Sequence, residues 1–146
     1  MEIFTTRFGT LDVEADDLIH FPKGLLGLAQ CRDWVLLADT QNDAVAWLQS
    51  VDRAEIALGV VSPRRFLSSY QMRVVGRELE PLKLERIQAA RVLVVVSKNE
   101  GLITLNLKAP LVINLDRRLG RQVIANGELP VQYELGNASS RLKRTA

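Results

Sequence analysis

The segment RVLVVVSKNEGLITLNLKAPLVINL, residues 91–115, has the pattern of three strands separated by two short breaks. Residues 92–96 are apolar at every position, which is typical of a strand that is covered on both faces. A polar loop at 98–101 follows, and residues 103–107 then alternate apolar and polar side chains, as in a half-buried strand. The pair Ala109–Pro110 interrupts this strand before the apolar pattern resumes. The segment therefore predicts a sheet of short strands.

Similar short runs extend from this segment in both directions. A hairpin with its turn at 7–9 comes first, and further strands are predicted at 34–38, 44–48, 56–61, 70–75 and 121–125. One segment, 78–90, has a loose helical spacing and predicts a short helix. Many short strands with at most one short helix favour an all-β, mainly antiparallel fold. Such a fold protects its edges as a small closed barrel or an orthogonal β-sandwich.

Length and composition predict one domain followed by a tail. The chain has 146 residues, of which 47% are apolar and 25% are charged, and this size suits a single hydrophobic core. Residues 1–134 are predicted to form the β-barrel domain. Residues 135–146 are mostly small, polar or basic, so we expect them to form a disordered tail.

Charge and cysteine content narrow the class of protein. The formal net charge is +2, which gives no reason to expect a polyanionic partner. One cysteine and one histidine cannot form an internal disulfide or a Cys/His zinc site. No apolar run approaches the roughly 20 residues that a bilayer-spanning helix needs, and the N-terminus lacks the pattern of a secretion signal. We therefore expect a soluble cytoplasmic protein that has no membrane partner.

The sequence offers few groups for catalysis. His20 is the sole imidazole, and no motif supplies it with a nucleophile. Cys31 has no second cysteine with which to form a disulfide, so we expect a structural thiol. The adjacent carboxylates of Asp16 and Asp17 would face opposite sides of a strand. We therefore expect no enzyme, no catalytic residue, no cofactor and no metal site; a hydrolase that uses His20 is the enzymatic alternative.

Basic clusters leave nucleic-acid binding as a further class. They lie at 64–65, 117–121 and 141–144, and the aromatic residues Phe66 and Tyr70 follow the first. Aromatic and arginine side chains on a β-barrel can stack single-stranded bases, so a single-stranded RNA-binding β-barrel module is the alternative function. The near balance of charges and the aromatic content of 5% argue against it, and no direct nucleic-acid partner is expected.

Five strings punctuate the chain: FPKGLLGL at 21–28, WLQS at 47–50, LGVVSPRRF at 58–66, TLNLKAPLVIN at 104–114 and GRQVI at 120–124. Their order and spacing resemble the FliW family of flagellar assembly factors, from the first strand to about Tyr133. The first string departs from the family pattern, because Leu26 stands where a second proline is usual and Leu28 where phenylalanine is usual. The basic residues after Tyr133 match no feature of the family.

The resemblance implies a small β-barrel-like protein that regulates by binding other proteins. Members of this family bind newly made flagellin in the cytoplasm. When flagellin has been exported, the freed protein binds CsrA, an RNA-binding translational regulator. That binding antagonises CsrA allosterically and allows flagellin mRNA to be translated. Near-neutral charge and few aromatic residues give no reason to expect a dimer, so a monomer is expected.

Two stretches are predicted to form the partner surface. The first is Trp47 with Gln49 and Ser50, because tryptophan is enriched at interface centres and the two polar residues would be exposed at a strand end. The second is the loop after Pro63, where Phe66 and Tyr70 would be exposed aromatic anchors.

Acidic loop residues are predicted to complement CsrA. Because CsrA binds RNA through basic surfaces, a patch of carboxylates would attract it. Asp39, Asp43, Asp52 and Glu55 lie on loops that neighbour the WLQS strand in the sequence, and they are the candidates for that patch.

Overall fold

The computed structural model describes residues 1–137, and the rest of the predicted tail, 138–146, lies outside them. Eleven strands are present in this part of the chain: β1 (Glu2–Thr5), β2 (Gly9–Asp12), β3 (Leu18–His20), β4 (Asp33–Ala38), β5 (Ala46–Ser50), β6 (Ala57–Val61), β7 (Ala90–Asn99), β8 (Leu102–Leu105), β9 (Leu111–Asn114), β10 (Leu119–Gln122) and β11 (Tyr133–Asn137). The all-β prediction is confirmed. No helix among the described residues is long and apolar enough to cross a membrane.

Seven of the strands close into a barrel. The order β7-β6-β5-β4-β3-β10-β9 returns to its start because β9 also pairs with β7. All these pairings are antiparallel except the short one between β10 and β3, which is parallel. Closure removes the free edges that an open sheet would expose, as the strand pattern predicts.

Strand β7 joins the barrel to a second layer. Its first half pairs with β9, and its second half, from Val96 to Asn99, pairs with β8. Strand β11 then pairs with β8 at the outer edge. The predicted domain boundary after residue 134 falls inside β11, where Leu135 is buried.

Two apolar cores lie on opposite faces of β7. Leu93 packs in the barrel interior with the buried Phe21 and Trp34, whereas Val94 packs on the outer side with Leu105 and other residues of the second layer. Successive residues of a strand point to opposite faces, so a strand between two cores must be apolar throughout. The interpretation of residues 92–96 as a strand covered on both faces is confirmed.

The hairpin of β1 and β2 packs on the outside of the barrel. Ile3 of β1 and Val13, the residue after β2, pack against the buried Val35 of β4. The turn at 7–9 is where the sequence predicts it, with Gly9 at a φ of 73°.

Two local predictions fail. The segment 78–90, predicted as a helix, contains only the single 3-10 turns Glu80–Leu82 and Ile87–Ala89, with Gly76–Glu78 just before them. Lys83 adopts a left-handed φ of 54° directly after Leu82, which ends helical winding there. The segment 70–75, predicted as a strand, pairs with no strand in the described chain.

Candidate functional site

The loop that links β3 to β4 is locked into the barrel by its first aromatic residue. Phe21 follows His20 directly, is fully buried in the barrel core, and its ring lies against Gly120 of β10. The string FPKGLLGL therefore meets the string GRQVI in space. Glycine at position 120 is the residue that leaves room for the ring.

The rest of the loop folds back as a tight turn. Leu25 and Leu28 exchange backbone hydrogen bonds of 3.3 and 2.8 Å, with Leu26 and Gly27 at the tip. Gly24 has a φ of 64°, and a Cβ there would lie 2.5 Å from the carbonyl oxygen of Leu28. Glycine is required at position 24 by both its conformation and the close approach of the backbone.

Gln122 fixes the tip of the loop to the barrel. Its Oε1 accepts a hydrogen bond of 2.8 Å from the backbone N–H of Leu26, and its Nε2 donates to the carbonyl of Ala109 at 3.0 Å. A proline at position 26, usual in the family pattern, would have no N–H for this bond. Leucine at position 26 therefore supplies a backbone N–H, and the side chain of Gln122 accepts the hydrogen bond from it.

An apolar cavity of about 420 Å³ opens between this loop, the turn Glu80–Leu82 and β10. Its walls are mostly apolar groups, and they come from Pro22, Lys23, Gly24, Leu25, Leu26, Gly27, Ala29, Pro81, Leu82, Leu119, Gly120, Arg121 and Gln122. Cavities of about 300–1,000 Å³ are the size of ligand and side-chain binding sites. The loop carries a string of the family resemblance, but its sequence alone predicts no binding role for it.

Charge around this cavity is basic. Lys23 and Arg121 line it, and no carboxylate does so among the described residues. Arg121 donates to Glu78 Oε2 at 2.8 Å, and its side chain is only 21% exposed. Lys23 has no ion-pair partner in the described part of the chain, so its ammonium is the group available to an incoming anion.

Trp47 is half-buried, and three residues contact its indole. The guanidinium of Arg7 lies 3.8 Å from the ring centroid, and the ring of Phe8 meets it edge-on at 6.1 Å. The indole N–H donates to Asp39 Oδ1 at 2.9 Å. The tip of the outer hairpin therefore rests on Trp47 through a cation–π contact and an aromatic contact.

Asp39 stabilises this cluster by accepting the hydrogen bond from Trp47. The indole N–H of Trp47 holds the pKa of the Asp39 carboxyl below its ordinary value of 3.8, and the backbone N–H of Gln41 lowers the pKa further. Both donors favour the charged carboxylate over the neutral acid. Asp39 thus serves the local structure as well as contributing negative charge.

Three predicted binding residues are buried. Gln49 and Ser50 are 0% and 1% exposed, so the expectation that they are exposed at a strand end is wrong. Gln49 pairs across the sheet with Val35, beneath the hairpin of β1 and β2, and its Nε2 donates to backbone carbonyls of Ser50 and Ala54. Ser50 Oγ accepts from the backbone N–H of Arg53 at 2.9 Å.

Tyr70 is the third buried residue, at 4% exposed, so it is not an exposed aromatic anchor. Its hydroxyl donates to the carbonyl of Leu107 at 2.9 Å, and burial raises the pKa of the phenol above 10.0. Phe66 is half-buried against the same core as Tyr70 and keeps part of its ring at the surface.

The acidic candidates fall into two groups at opposite ends of β5. Asp43 lies on the loop before β5, is exposed, and pairs at 3.0 Å with Arg65, the residue before Phe66 in the chain. Asp52 and Glu55 lie on the loop after β5. Asp52 accepts backbone N–H bonds from Arg32 and Asp33, and Glu55 pairs with Arg53 at 3.2 Å. A single patch of all four carboxylates is therefore not formed.

Of the groups considered for catalysis, His20 is bonded to a carboxylate and Cys31 is buried. His20 Nδ1 lies 2.8 Å from Asp33 Oδ1 at the surface. The hydrogen-bond partner of the imidazole is thus a carboxylate, and it is neither a hydroxyl nor a thiol. Among residues 1–137, no group of three or more His, Cys, Asp or Glu could hold a metal ion.

In two of the basic clusters considered for RNA, at 64–65 and 117–121, arginine side chains bond to the protein itself, and the third, at 141–144, lies outside the described residues. Arg64 donates to the carbonyl of Tyr70, and Arg117 to Glu85. Arg118 donates to the carbonyls of Asp17 and Leu18. These bonds leave fewer cations to contact phosphate groups than the sequence suggests.

Comparison with known proteins gives one consistent set of matches. The model of the FliW protein family matches residues 2–135. Flagellar assembly factor FliW of Bdellovibrio bacteriovorus is 38% identical over 126 residues, covering 85% of this chain and 72% of the relative. That of Geotalea uraniireducens is 38% identical over 130 residues, covering 88% and 79%. A crystal structure of a flagellar assembly factor FliW superposes with a TM-score of 0.85 at 27% identity, covering 92% of this chain and 96% of the other.

Proposed function

Because the chain belongs to the FliW family of flagellar assembly factors, we propose that it binds newly made flagellin in the cytoplasm and, when free, binds the regulator CsrA. Binding of the free protein antagonises CsrA allosterically, so that flagellin mRNA is translated. The protein acts as a monomeric chaperone and regulator, without catalysis.

The cavity beneath the β3–β4 loop is the observation that carries this proposal. Most of its walls come from the strings FPKGLLGL and GRQVI, which also carry the family resemblance, and the side chains of residues 1–137 leave it open. An open apolar cavity beside an exposed apolar side chain, such as Leu26 at 63% exposed, is typical of a surface that binds another molecule. A flagellar assembly factor with such a surface is suited to hold a protein partner.

A second surface supports binding of a basic partner. The loop before β5 presents Asp39, which accepts a bond from Trp47, and Asp43, which pairs with Arg65, the residue before Phe66 in the chain. Carboxylates beside partly exposed aromatic rings are suited to a cationic protein surface. We assign the loop before β5 to the binding of CsrA. Asp52 and Glu55, on the loop after β5, contribute less to attracting CsrA.

Because flagellin and CsrA bind the same small protein, export of flagellin is coupled to translation of its mRNA through mass action. If flagellin and CsrA exclude each other, flagellin lowers the apparent affinity for CsrA by a factor that grows with the ratio of the flagellin concentration to the Kd of flagellin, and CsrA acts on flagellin binding in the corresponding way. Export of flagellin then raises the concentration of the free protein, and the occupancy of CsrA follows from the two affinities.

Isothermal titration calorimetry with purified flagellin and purified CsrA tests the proposal. We expect each to bind at micromolar or lower concentration, and we expect the chain saturated with flagellin to give no heat with CsrA. In a reconstituted translation reaction with flagellin mRNA and inhibitory CsrA, the chain should restore synthesis, and excess flagellin should abolish the restoration. No binding to either protein would overturn the proposal.

A gel shift with single-stranded RNA distinguishes the alternative function. RNA binding would weaken steeply between low and high salt because phosphate contacts release counterions. Tight, salt-sensitive binding of RNA by the chain alone, without CsrA, would favour the RNA-binding module over the regulator.

A further inference from the structure

The tip of the β3–β4 loop separates two depressions. Leu26 is 63% exposed and stands between the cavity of about 420 Å³ and a second depression of about 240 Å³. Leu25, Leu26 and Gln122 line both, so the two depressions share one wall. The far side of the second depression includes Val131, which is 59% exposed. We call the two depressions and this wall the loop groove.

The loop groove is apolar inside, and the cation at its rim without an ion-pair partner in the described chain is Lys23. Its charged lining residues, Lys23 and Arg121, are both cations, and within the described chain no Asp or Glu lines either depression. A further depression on the other side of the loop has Arg53 as its charged residue. An occupant that combines apolar side chains with a carboxylate would match both properties of the groove.

The polar groups of the groove favour an extended occupant over a compact ligand. Both ends of the Gln122 side chain are used within the protein, and Arg121 is paired with Glu78. Small-molecule sites commonly converge several polar groups on the ligand, and here Lys23 is the one charged lining residue left available within the described chain. Two apolar depressions on either side of Leu26 instead suit two neighbouring apolar side chains of one polypeptide segment.

We propose that the loop groove is the docking site for an amphipathic segment of flagellin that carries two neighbouring apolar side chains beside a carboxylate. This assignment rests on the proposed function, and it places the two partners on two surfaces of one small protein. Their mutual exclusion then comes from the bulk of each bound partner and not from a shared contact. CsrA, which presents basic surfaces to RNA, is matched in charge to the acidic loop before β5 and not to the basic rim of the groove.

Two substitutions test the groove without disturbing the core. Leu26→Asp places a carboxylate on the exposed wall, where it meets the apolar side chains and the carboxylate of the segment. We expect flagellin affinity to fall about tenfold or more, as for an anchor position. Lys23→Glu should weaken flagellin binding about two- to fivefold, the size of an exposed ion pair, and reduce its dependence on salt.

Ile87→Asp is the matched control. Ile87 is 77% exposed and lines none of the three depressions, so the same gain of charge at an exposed apolar position should leave flagellin binding unchanged. Thermal unfolding of each variant should match that of the wild type, which shows that the fold is intact. Calorimetry with purified flagellin and, separately, with purified CsrA supplies the affinities.

The outcomes distinguish failure of the groove assignment from failure of the proposed function. If the wild type binds flagellin and Leu26→Asp and Lys23→Glu bind it equally well, the groove assignment is wrong and the proposed function stands. The groove assignment is also wrong if Leu26→Asp weakens CsrA and spares flagellin. If the wild type binds neither protein, the proposed function itself fails, and the groove assignment fails with it.

Discussion

The ring of Phe21 occupies the space in which a side chain on Gly120 would lie. A Cβ at position 120 would be 2.3 Å from Cζ of Phe21 and 2.6 Å from two further ring carbons, whereas carbon atoms in contact are about 3.5–4.0 Å apart. The contact joins the start of the β3–β4 loop to β10 and thereby shapes one wall of the cavity. Barrel stability and the binding surface thus depend on the same pair of residues.

Gly120→Ala is expected to destabilise the protein by about 1–3 kcal/mol, because the methyl group overpacks the core against Phe21. Urea unfolding followed by tryptophan fluorescence measures the change. Gly76→Ala is the control, since a Cβ there meets no atom within 4 Å and should alter stability little. Equal stability of the two variants would contradict this account of position 120.

Tyr70→Phe should cost about 1–3 kcal/mol, because the buried carbonyl of Leu107 loses its donor. Burial raises the pKa of the folded Tyr70 phenol above its ordinary value of 10.0, so the wild type keeps its full stability below about pH 10 and loses part of it as pH rises through the folded pKa. Tyr70→Phe should lack that part of the alkaline loss. Unfolding curves from pH 8 to 11 test this, with Tyr133→Phe as the control that keeps the loss.

Asp39→Asn should weaken the Trp47 cluster by about 1 kcal/mol, since a charged acceptor is replaced by a neutral one. The Trp47 and backbone donors depress the folded pKa of Asp39, so its contribution is present above the ordinary value of 3.8 and is lost as pH falls through the folded pKa. The variant should therefore lose less stability on acidification than the wild type. A double-mutant cycle with Trp47→Phe isolates the bond; additive effects would show that it contributes nothing.

Truncation locates the end of the folded domain. A chain of residues 1–137 should unfold at the temperature of the full chain, whereas a chain of residues 1–134 should be less stable because it loses the buried Leu135 of β11. Differential scanning calorimetry of the three chains measures the effect. Leu135→Ala in the full chain should reproduce about 2–5 kcal/mol of loss, and identical stability of all three chains would place the boundary at 134.

The local pattern of apolar residues predicts the positions of most strands, but it predicts less well which strands pair with each other. The apolar run at 92–96 carries enough information, because a strand between two cores needs every side chain to be apolar. In the segment 70–75, burial does alternate, from buried Tyr70 through half-buried Met72 and Val74, yet the backbone finds no partner strand in the described chain. Alternation reports which side chains face a core, and it does not report whether a neighbouring strand is available.

The binding surface is harder to predict because long-range contacts create it. Gln49 pairs with Val35, which the β1–β2 hairpin covers, and this hairpin is distant from Gln49 in the sequence. The pattern around a strand end does not show such a cover. The loop groove depends on the contact of Phe21 with Gly120 and on the bond from Leu26 to Gln122. The signal that could have identified it is Gly120 in the string GRQVI, because the absence of a side chain there is explained by the ring of Phe21 in the string FPKGLLGL.

Charge reversal at the acidic loop tests the assignment of CsrA to the end of β5 that carries Trp47. Asp43→Lys should reduce CsrA affinity about tenfold, mainly through slower association, and should leave flagellin affinity unchanged. Asp12→Lys makes the same change of charge on β2, where the carboxylate is 79% exposed and lies at the end of the hairpin away from Trp47, so it controls for net charge. Surface plasmon resonance at two salt concentrations separates the two effects. Because a local contact depends on the position of the charge and a net-charge effect does not, equal losses for Asp43→Lys and Asp12→Lys would refute a specific acidic contact at this surface.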